Sequence, residues 1–210
     1  EKSESWSTIF TIIGILVLFV GVLGFFIIRE PAITPSKVPY FKSIFYGFRP
    51  STMAKNPTLY VSLAAFIIFN ISIQIFMPYL IIYYEVALGM KDYVFIMAPA
   101  IILASVVTSL WGKVYDKKGF TFSGLFSMAS LIIGYVILFI FRSTVPVFVG
   151  SLLMMCGYLS GMAVFGAIIR ESTPSGKSGM LQGVRIFSQV LIPGIIGPYI
   201  GKLILDGAET

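Results

Sequence analysis

The sequence predicts an all-helical integral membrane protein. Hydrophobic residues make up 57% of the chain and charged residues only 11%, whereas an ordinary soluble protein carries about 25% charged residues. The mean hydropathy is +0.94, and a soluble domain of 210 residues cannot bury that much apolar surface. The charges also separate uncharged runs of roughly 20 residues or more, the length of a helix that crosses a bilayer.

The same composition excludes several function classes. There is no histidine, so imidazole catalysis and histidine-ligated metal sites are excluded. A single cysteine, Cys156, leaves no disulfide and no paired-cysteine motif. The net charge is +6, but the charged residues lie in short breaks between apolar runs and not on one soluble face. No nucleic-acid partner is therefore expected. We predict no enzyme, cofactor or metal site, because Asp92, Asp116 and Glu171 stand isolated in the sequence.

Six transmembrane helices account for the uncharged runs. The chain opens without Met or a basic leader, so we expect no signal peptide and a piece of a longer protein. Only the last run is interrupted by a charge, Arg185. The predicted helices lie near residues 7–28, 58–84, 93–112, 121–141, 146–169 and 179–203.

The basic residues predict how these helices are oriented. Basic residues near span ends favour the cytoplasmic side. The loops after the first, third and fifth helices carry most of them, and the loops on the other side carry only Lys2, Lys91, Arg142 and Lys202. We therefore expect a multi-pass protein of the cell membrane, with both ends of this chain outside and these basic residues inside: Arg29, Lys37, Lys42, Arg49, Lys55, Lys113, Lys117, Lys118, Arg170 and Lys177.

The segment 29–56 is the one long connection, and it is basic and rich in proline. Its stretch from Tyr40 to Tyr46 is apolar and aromatic, so it suits either the inner membrane surface or a disordered linker. The segment divides the chain into the helix 1–28, the cytoplasmic loop 29–56 and a helical bundle over 57–210.

A glycine-rich basic motif follows the third helix. Gly112, Lys113, Asp116 and Gly119 form the pattern Gly-x-x-x-Asp-x-x-Gly on the predicted inner side. The two glycines allow a tight turn, and Asp116 is suited to accept hydrogen bonds from a neighbouring helix N-terminus. This motif resembles the signature loop of the major facilitator superfamily. The resemblance implies that the six helices are the sixth to eleventh of a twelve-helix carrier. The helix 1–28 is then the last of the N-terminal half, and we expect five helices before it and one after the bundle to be missing from this chain.

Two further stretches are similar to the glycoside–pentoside–hexuronide cation symporters, the relatives of melibiose permease. They are Gln74 to Tyr84 in the second helix and Arg170 to Arg185 at the start of the last. This likeness implies secondary active transport of a small polar solute, a sugar or glycoside, with Na⁺ or H⁺ by alternating access. A drug or metabolite exporter of the same superfamily and a non-transporting membrane protein remain the alternatives.

Polar residues inside the spans are the candidate substrate-binding groups, because an unpaired polar group in lipid is costly. Asn70 and Gln74 share one helix face, and Tyr79 follows on the same helix. Arg185 and Gln189 lie on one stripe with Gln182. Asn70 and Gln74 suit either a solute pathway or contact between helices. For Arg185 the alternative to the solute pathway is snorkelling to the membrane interface.

Prolines and glycines in the spans predict bends and close packing. Pro193 and Pro198 remove backbone hydrogen bonds, so we expect kinks in the last helix. The pairs Gly197/Gly201 and Gly157/Gly161 have the spacing that lets two helices pack closely.

Overall fold

The computed structural model describes residues 2–28 and 45–208, and no β-strand occurs among them. The chain divides into two units, Glu1–Pro39 and Tyr40–Thr210. These residues confirm the all-helical membrane class, since helices satisfy their own backbone hydrogen bonds in lipid. Five helices are long and apolar enough to cross a bilayer: Ser7–Ile27, Pro57–Ala87, Val94–Ile140, Thr144–Ser172 and Ser178–Gly207.

The first unit contains one long helix, α1 (Lys2–Ile27). Its spanning segment has a mean hydropathy of 2.8, and its large side chains, such as Leu18 and Phe25, are exposed. A helix that is apolar on every side needs lipid or protein around it. Most of the predicted loop, residues 29–44, lies outside the described residues.

The second unit begins with a short ordered segment. A 3₁₀ turn (Phe45–Phe48) leads into α2 (Pro50–Lys55), and α3 (Pro57–Phe76) follows directly. Pro50 and Pro57 both stand at the start of their helices, where the missing amide costs nothing. The span that begins with α3 continues through a 3₁₀ turn (Met77–Tyr79) at Pro78, a helical turn (Leu80–Ile82) and a π turn (Tyr83–Ala87).

Four more helices complete the described part of the second unit. A π turn (Phe187–Leu191) connects α6 (Ser178–Ile186) to α7 (Ile192–Ala208) just before Pro193, whereas Pro198 lies inside α7. The backbone irregularity expected of these prolines thus falls on the turn before Pro193. The helices are α4 (Val94–Ile140), α5 (Thr144–Ser172), α6 (Ser178–Ile186) and α7 (Ile192–Ala208).

Helix α4 folds back on itself at Gly119. Its 47 residues would extend for about 70 Å if straight, over twice the roughly 30 Å of a bilayer core. Gly119 has φ 75° and ψ −176°, a conformation that essentially only glycine adopts. Trp111 and Phe126 stack across the break with ring centroids 4.4 Å apart, so the two legs of α4 lie side by side.

The predicted boundary between the third and fourth helices was wrong in detail. We expected helices over 93–112 and 121–141 with a loop between them, but the backbone is helical from Val94 up to the break at Gly119. Gly112 is inside the first leg and contributes nothing to the turn. The reversal needs one residue with positive φ, and Gly119 alone supplies it.

The core of the bundle centres on Phe165 of α5, which is 1% exposed. Its ring lies 5.3 Å from those of Phe66 and Phe69 on α3, and 5.4 Å from that of Phe120 at the start of the second leg of α4. Aromatic contacts of this kind add about 0.5–1.5 kcal/mol each beyond burial. They tie three passes of the chain together.

Glycine and serine form the contact between α5 and the second leg of α4. A Cβ added at Gly157 would lie 2.5 Å from the Leu131 amide nitrogen, so the two backbones touch. Ser160 donates to the Ser127 hydroxyl over 2.8 Å, and Ser130 donates to the Leu153 carbonyl over 2.9 Å. Small residues and hydroxyl hydrogen bonds are what holds helices together in lipid.

Helix α7 approaches the α3 span just as closely. A Cβ at Gly197 would overlap the side chain and backbone of Gln74, and one at Gly201 would meet the Tyr79 ring and the Ile75 carbonyl. The pair Gly197/Gly201 therefore packs α7 against one neighbouring span, as its spacing predicted. In the pair Gly157/Gly161, Gly157 contacts the second leg of α4, whereas Gly161 lies against the Phe69 ring of α3. Since Leu63 shares a cavity with Arg185 and Gln74 meets Gly197, the two spans run in the same direction.

Most basic residues of the bundle lie at one end, which we call the basic end. It comprises residues 45–55, 111–118 and 170–178, which are joined by the hydrogen bonds Lys177 to Tyr46 (2.8 Å) and Tyr115 to Glu171 (2.9 Å). At the opposite end, Arg142 lies 3.5 Å from the Ala87 carbonyl.

Candidate functional site

Asn70 lies in the middle of α3, and its side chain is only 5% exposed. Its amide donates a 2.9 Å hydrogen bond to the Phe66 carbonyl of its own helix. This bond satisfies one donor within the helix, and it does not connect two helices. Asn70 therefore brings a buried amide into an apolar span, and its role in binding or in contact between helices stays a prediction.

Gln74 and Tyr79 face the last span. The Cβ of Gln74 points at Gly197, and the side chain is partly buried. The Tyr79 hydroxyl donates to the Pro198 carbonyl over 3.3 Å, and its ring covers Gly201. Such an interhelical hydrogen bond is worth about 1 kcal/mol. Tyr79 thus contacts α7 through its ring and its hydroxyl, and its role in substrate binding stays a prediction.

Arg185 lines a small polar cavity between α3, α5 and α6, called here the arginine cavity. Its volume is about 70 Å³. The Nε atom of Arg185 is buried and has no hydrogen-bond partner. Atom Nη2 lies 3.9 Å from the position a Cβ would take at Gly166, so the side chain extends across to α5. The cavity is lined by Leu59, Leu63, Ile169, Arg170, Thr173, Ser178, Leu181, Gln182 and Arg185.

The structure divides the predicted binding residues into two levels. Arg185 is level with Leu63 on α3, and Asn70 lies seven residues further on, about 10 Å along the helix axis. Gln189 belongs to the π turn after α6 and is partly buried. Arg185 therefore forms one site with Gln182 near the basic end, and Asn70, Gln74 and Tyr79 follow one another deeper in the bundle.

The glycine-rich motif contributes a second polar cavity, of about 150 Å³, at the basic end. The buried Tyr115 donates to Glu171 of α5, while Asp116, Lys113 and Gly112 are exposed. Asp116 lines the cavity beside the last turns of α5. Arg170 at the end of α5 lines the same cavity, and the hydrogen bonding of Asp116 to a neighbouring helix N-terminus stays a prediction.

An ordered contact between the 45–55 segment and α6 was missed by sequence reasoning. Gly47 packs against Val184 and Leu181, and its carbonyl accepts a hydrogen bond from Tyr60. Lys177 donates to the Tyr46 hydroxyl over 2.8 Å and lowers the pKa of that phenol below 10.0 through the hydrogen bond and its charge. The signal was present in the aromatic residues that precede α2, but nothing local indicated their partner.

The larger cavities are apolar grooves. One of about 410 Å³ lies between the α3 span and α7 and contains Tyr79 and Tyr83. Another of about 420 Å³ lies between the same span, α4 and α5 and contains Tyr84 and Tyr158. Across residues 2–28 and 45–208, no three His, Cys, Asp or Glu side chains come together as metal ligands.

Comparison with known proteins supplies the family. The family model described as Major Facilitator Superfamily matches residues 2–203. No curated protein and no solved structure matches significantly. The matched region contains four of the five candidate membrane-spanning helices in full and most of the fifth, together with the arginine cavity and the glycine-rich motif. The chain therefore belongs to the Major Facilitator Superfamily, a superfamily of transporters.

Proposed function

We propose that the protein is a secondary active transporter that moves a small polar solute, a sugar or glycoside, together with Na⁺ or H⁺. The observation that carries this proposal is the buried amide of Asn70 in an otherwise apolar span. An intramembrane polar group is a functional-site candidate by default, and carriers bind their solutes near the bilayer midplane.

The solute pathway in this proposal follows the α3 span and the α6–α7 span. Asn70, Gln74 and Gln189 supply amides to solute hydroxyls, Tyr79 borders them toward the opposite end, and Arg185 lies toward the basic end. The parallel course of the two spans supports this arrangement, because it puts the residues on adjacent helices. Alternating access would expose them first at one end of the bundle and then at the other.

The register of the helices is part of the proposal. With α4 counted as two passes, the described chain makes six, which we assign as the sixth to eleventh of a twelve-helix carrier with its basic end in the cytoplasm. The partner of this bundle is then the N-terminal half of the same protein. The likeness of Gln74 to Tyr84 and of Arg170 to Arg185 to cation symporters supports the sugar assignment and the coupling to an ion.

Uptake into proteoliposomes tests the proposal. The purified protein is reconstituted, and a panel of radiolabelled sugars and glycosides is offered with an inward Na⁺ gradient, an inward H⁺ gradient or neither. We expect one gradient to drive accumulation of at least one sugar above its equilibrium level, and an ionophore to abolish it. Sugar entry that is indifferent to both gradients would contradict the coupling.

The alternative is an exporter of amphipathic compounds. The apolar grooves of about 410 and 420 Å³ favour it, because drug-sized ligands bind in mainly apolar cavities of 300–1,000 Å³. In the same proteoliposomes, gradient-driven movement of amphipathic dyes without any sugar uptake would replace the symporter proposal by this one.

A further inference from the structure

We propose that the arginine cavity binds a small oxyanion, a phosphate or a carboxylate group. Arg185 is the one residue that this inference shares with the proposed function, and the inference does not require the transported solute to be a sugar.

The charge of the cavity is the first argument. Arg170 and Arg185 both line it, and none of its lining residues is acidic. Arg170 also lines the cavity of the glycine-rich motif, beside Asp116 and Glu171, and Glu171 there accepts its hydrogen bond from Tyr115. Within residues 2–28 and 45–208, no acidic partner is recorded for either arginine. Two arginines that line one cavity, Arg170 exposed and Arg185 partly buried, favour an anion there, since charge-assisted hydrogen bonds are the strong ones.

The hydrogen-bond donors are the second argument. A buried donor without a partner is costly, and Nε of Arg185 is such a donor. Gln182 adds an amide to the lining, and Ser178 is the first residue of α6, a helix start without a side-chain cap. Thr173 adds no donor, because its hydroxyl donates to the Ile169 carbonyl over 2.6 Å. Gln182 and Ser178 are exposed, so among these donors Nε of Arg185 is the buried one that an oxyanion would satisfy.

The size of the cavity is the third argument. A volume of about 70 Å³ holds roughly five water molecules, which suits a five-atom oxyanion such as phosphate, or the carboxylate end of a larger molecule. A Cβ at Gly166 would lie 3.9 Å from Nη2 of Arg185, so the guanidinium group packs beside the backbone of α5.

Thermal unfolding of the protein in phosphatidylcholine nanodiscs tests the inference. Inorganic phosphate is titrated at constant ionic strength, with chloride as the reference anion. We expect a saturable rise of the unfolding temperature in the wild type. Arg185→Gln should abolish the rise, and Arg170→Gln should weaken the apparent affinity roughly tenfold or more, as expected when a hydrogen bond to a charged group is lost.

Lys202→Gln is the matched control, because it removes one positive charge from an exposed position on α7. It should respond to phosphate like the wild type. If phosphate has no saturable effect on the wild type, or has the same effect on Arg185→Gln, the inference is wrong. Should Arg185→Gln fail to fold, Arg185→Lys keeps the charge but not the planar fork, and calorimetric titration should then show weaker phosphate binding.

The source of the oxyanion is distinguished by adding phosphatidic acid to the nanodiscs. A free anion is the source if dissolved phosphate still stabilises the protein there. A lipid headgroup is the source if phosphatidic acid alone stabilises the wild type but not Arg185→Gln, and added phosphate has no further effect. No transport is measured, so failure of the proposed sugar uptake leaves these results unaffected.

Discussion

The indole ring of Trp111 stacks on the phenyl ring of Phe126, with centroids 4.4 Å apart and an interplanar angle of 26°. In one straight helix these residues would lie about 22 Å apart along the axis. Their contact therefore establishes that α4 is a helical hairpin with its turn at Gly119. The glycine-rich motif is built around that turn.

Cross-linking tests the hairpin. In a Cys156→Ser background, Trp111→Cys combined with Phe126→Cys should be joined by a short bismaleimide within one chain, because the two side chains touch. Trp111→Cys combined with Phe139→Cys is the matched control. Phe139 is exposed near the end of the second leg, about 20 Å further along it. Equal cross-linking of both pairs, read by peptide mass spectrometry, would contradict the hairpin.

The two glycines of the motif should respond oppositely to alanine. Gly119→Ala forces a side chain into a positive-φ conformation and should destabilise the protein by about 1–3 kcal/mol. Gly112 is helical with nothing within 4 Å of an added Cβ, so Gly112→Ala should stabilise by about 1 kcal/mol. Reversible unfolding in mixed micelles measures the change in the free energy of unfolding for both variants. If Gly112→Ala destabilised the protein more than Gly119→Ala, the turn would lie elsewhere.

Gly197 and Gly194 provide a second matched pair, on α7. A Cβ at Gly197 lies 2.8 Å from the backbone carbonyl carbon of Gln74, whereas a Cβ at Gly194 has no neighbour within 4 Å. Gly197→Ala should cost about 1–3 kcal/mol because the helices must separate. Gly194→Ala should leave stability unchanged or raised. Both are checked by thermal unfolding in detergent, and equal effects would contradict the close contact.

Tyr46 should ionise below its ordinary pKa of 10.0 because Lys177 donates to its hydroxyl. The ionised phenol then favours the folded state. This contribution to the stability of the folded state is fully present above the pKa that Tyr46 has in the unfolded chain. It is lost as the pH falls through the lower pKa of the folded protein, so it is absent at neutral pH. The absorbance difference at about 295 nm between the wild type and Tyr46→Phe reports this titration near the tyrosine pKa.

Lys177→Met should return the titration of Tyr46 toward 10.0. Lys113→Met is its control, since Lys113 is an exposed lysine on the first leg of α4. If Lys177→Met leaves the Tyr46 curve where the wild type has it, the hydrogen bond does not set this pKa.

The sequence predicted the helices well because uncharged runs report the bilayer directly. It predicted the contact glycines too, since the spacing of Gly197 and Gly201 is itself the signal for close packing. It could not place the turn within the motif, because Gly112 and Gly119 look alike locally. Only the backbone geometry separates a helical glycine from the one at φ 75°.

The candidate site was less predictable, because it depends on which helices are neighbours. Arg185 was recognisable as the charge within a span, but its cavity also needs Arg170 from α5 and Leu63 from α3. The serines that join α5 to α4 were not singled out, since an isolated serine in a span has no distinctive pattern. The Tyr46–Lys177 contact joins residues 131 positions apart, which local patterns do not reveal.

The central claim is that a polar solute passes the amides of Asn70 and Gln74. The most direct test is the initial rate of gradient-driven sugar uptake in proteoliposomes containing equal amounts of folded wild type, Asn70→Ala or Gln74→Ala. Ser72→Ala is the control, since Ser72 lies between them on α3 but is exposed. The account predicts at least tenfold lower kcat/KM in both amide variants, as loss of about 1.4 kcal/mol of binding implies, and unchanged uptake in Ser72→Ala. Uptake by both amide variants at the wild-type rate would contradict it.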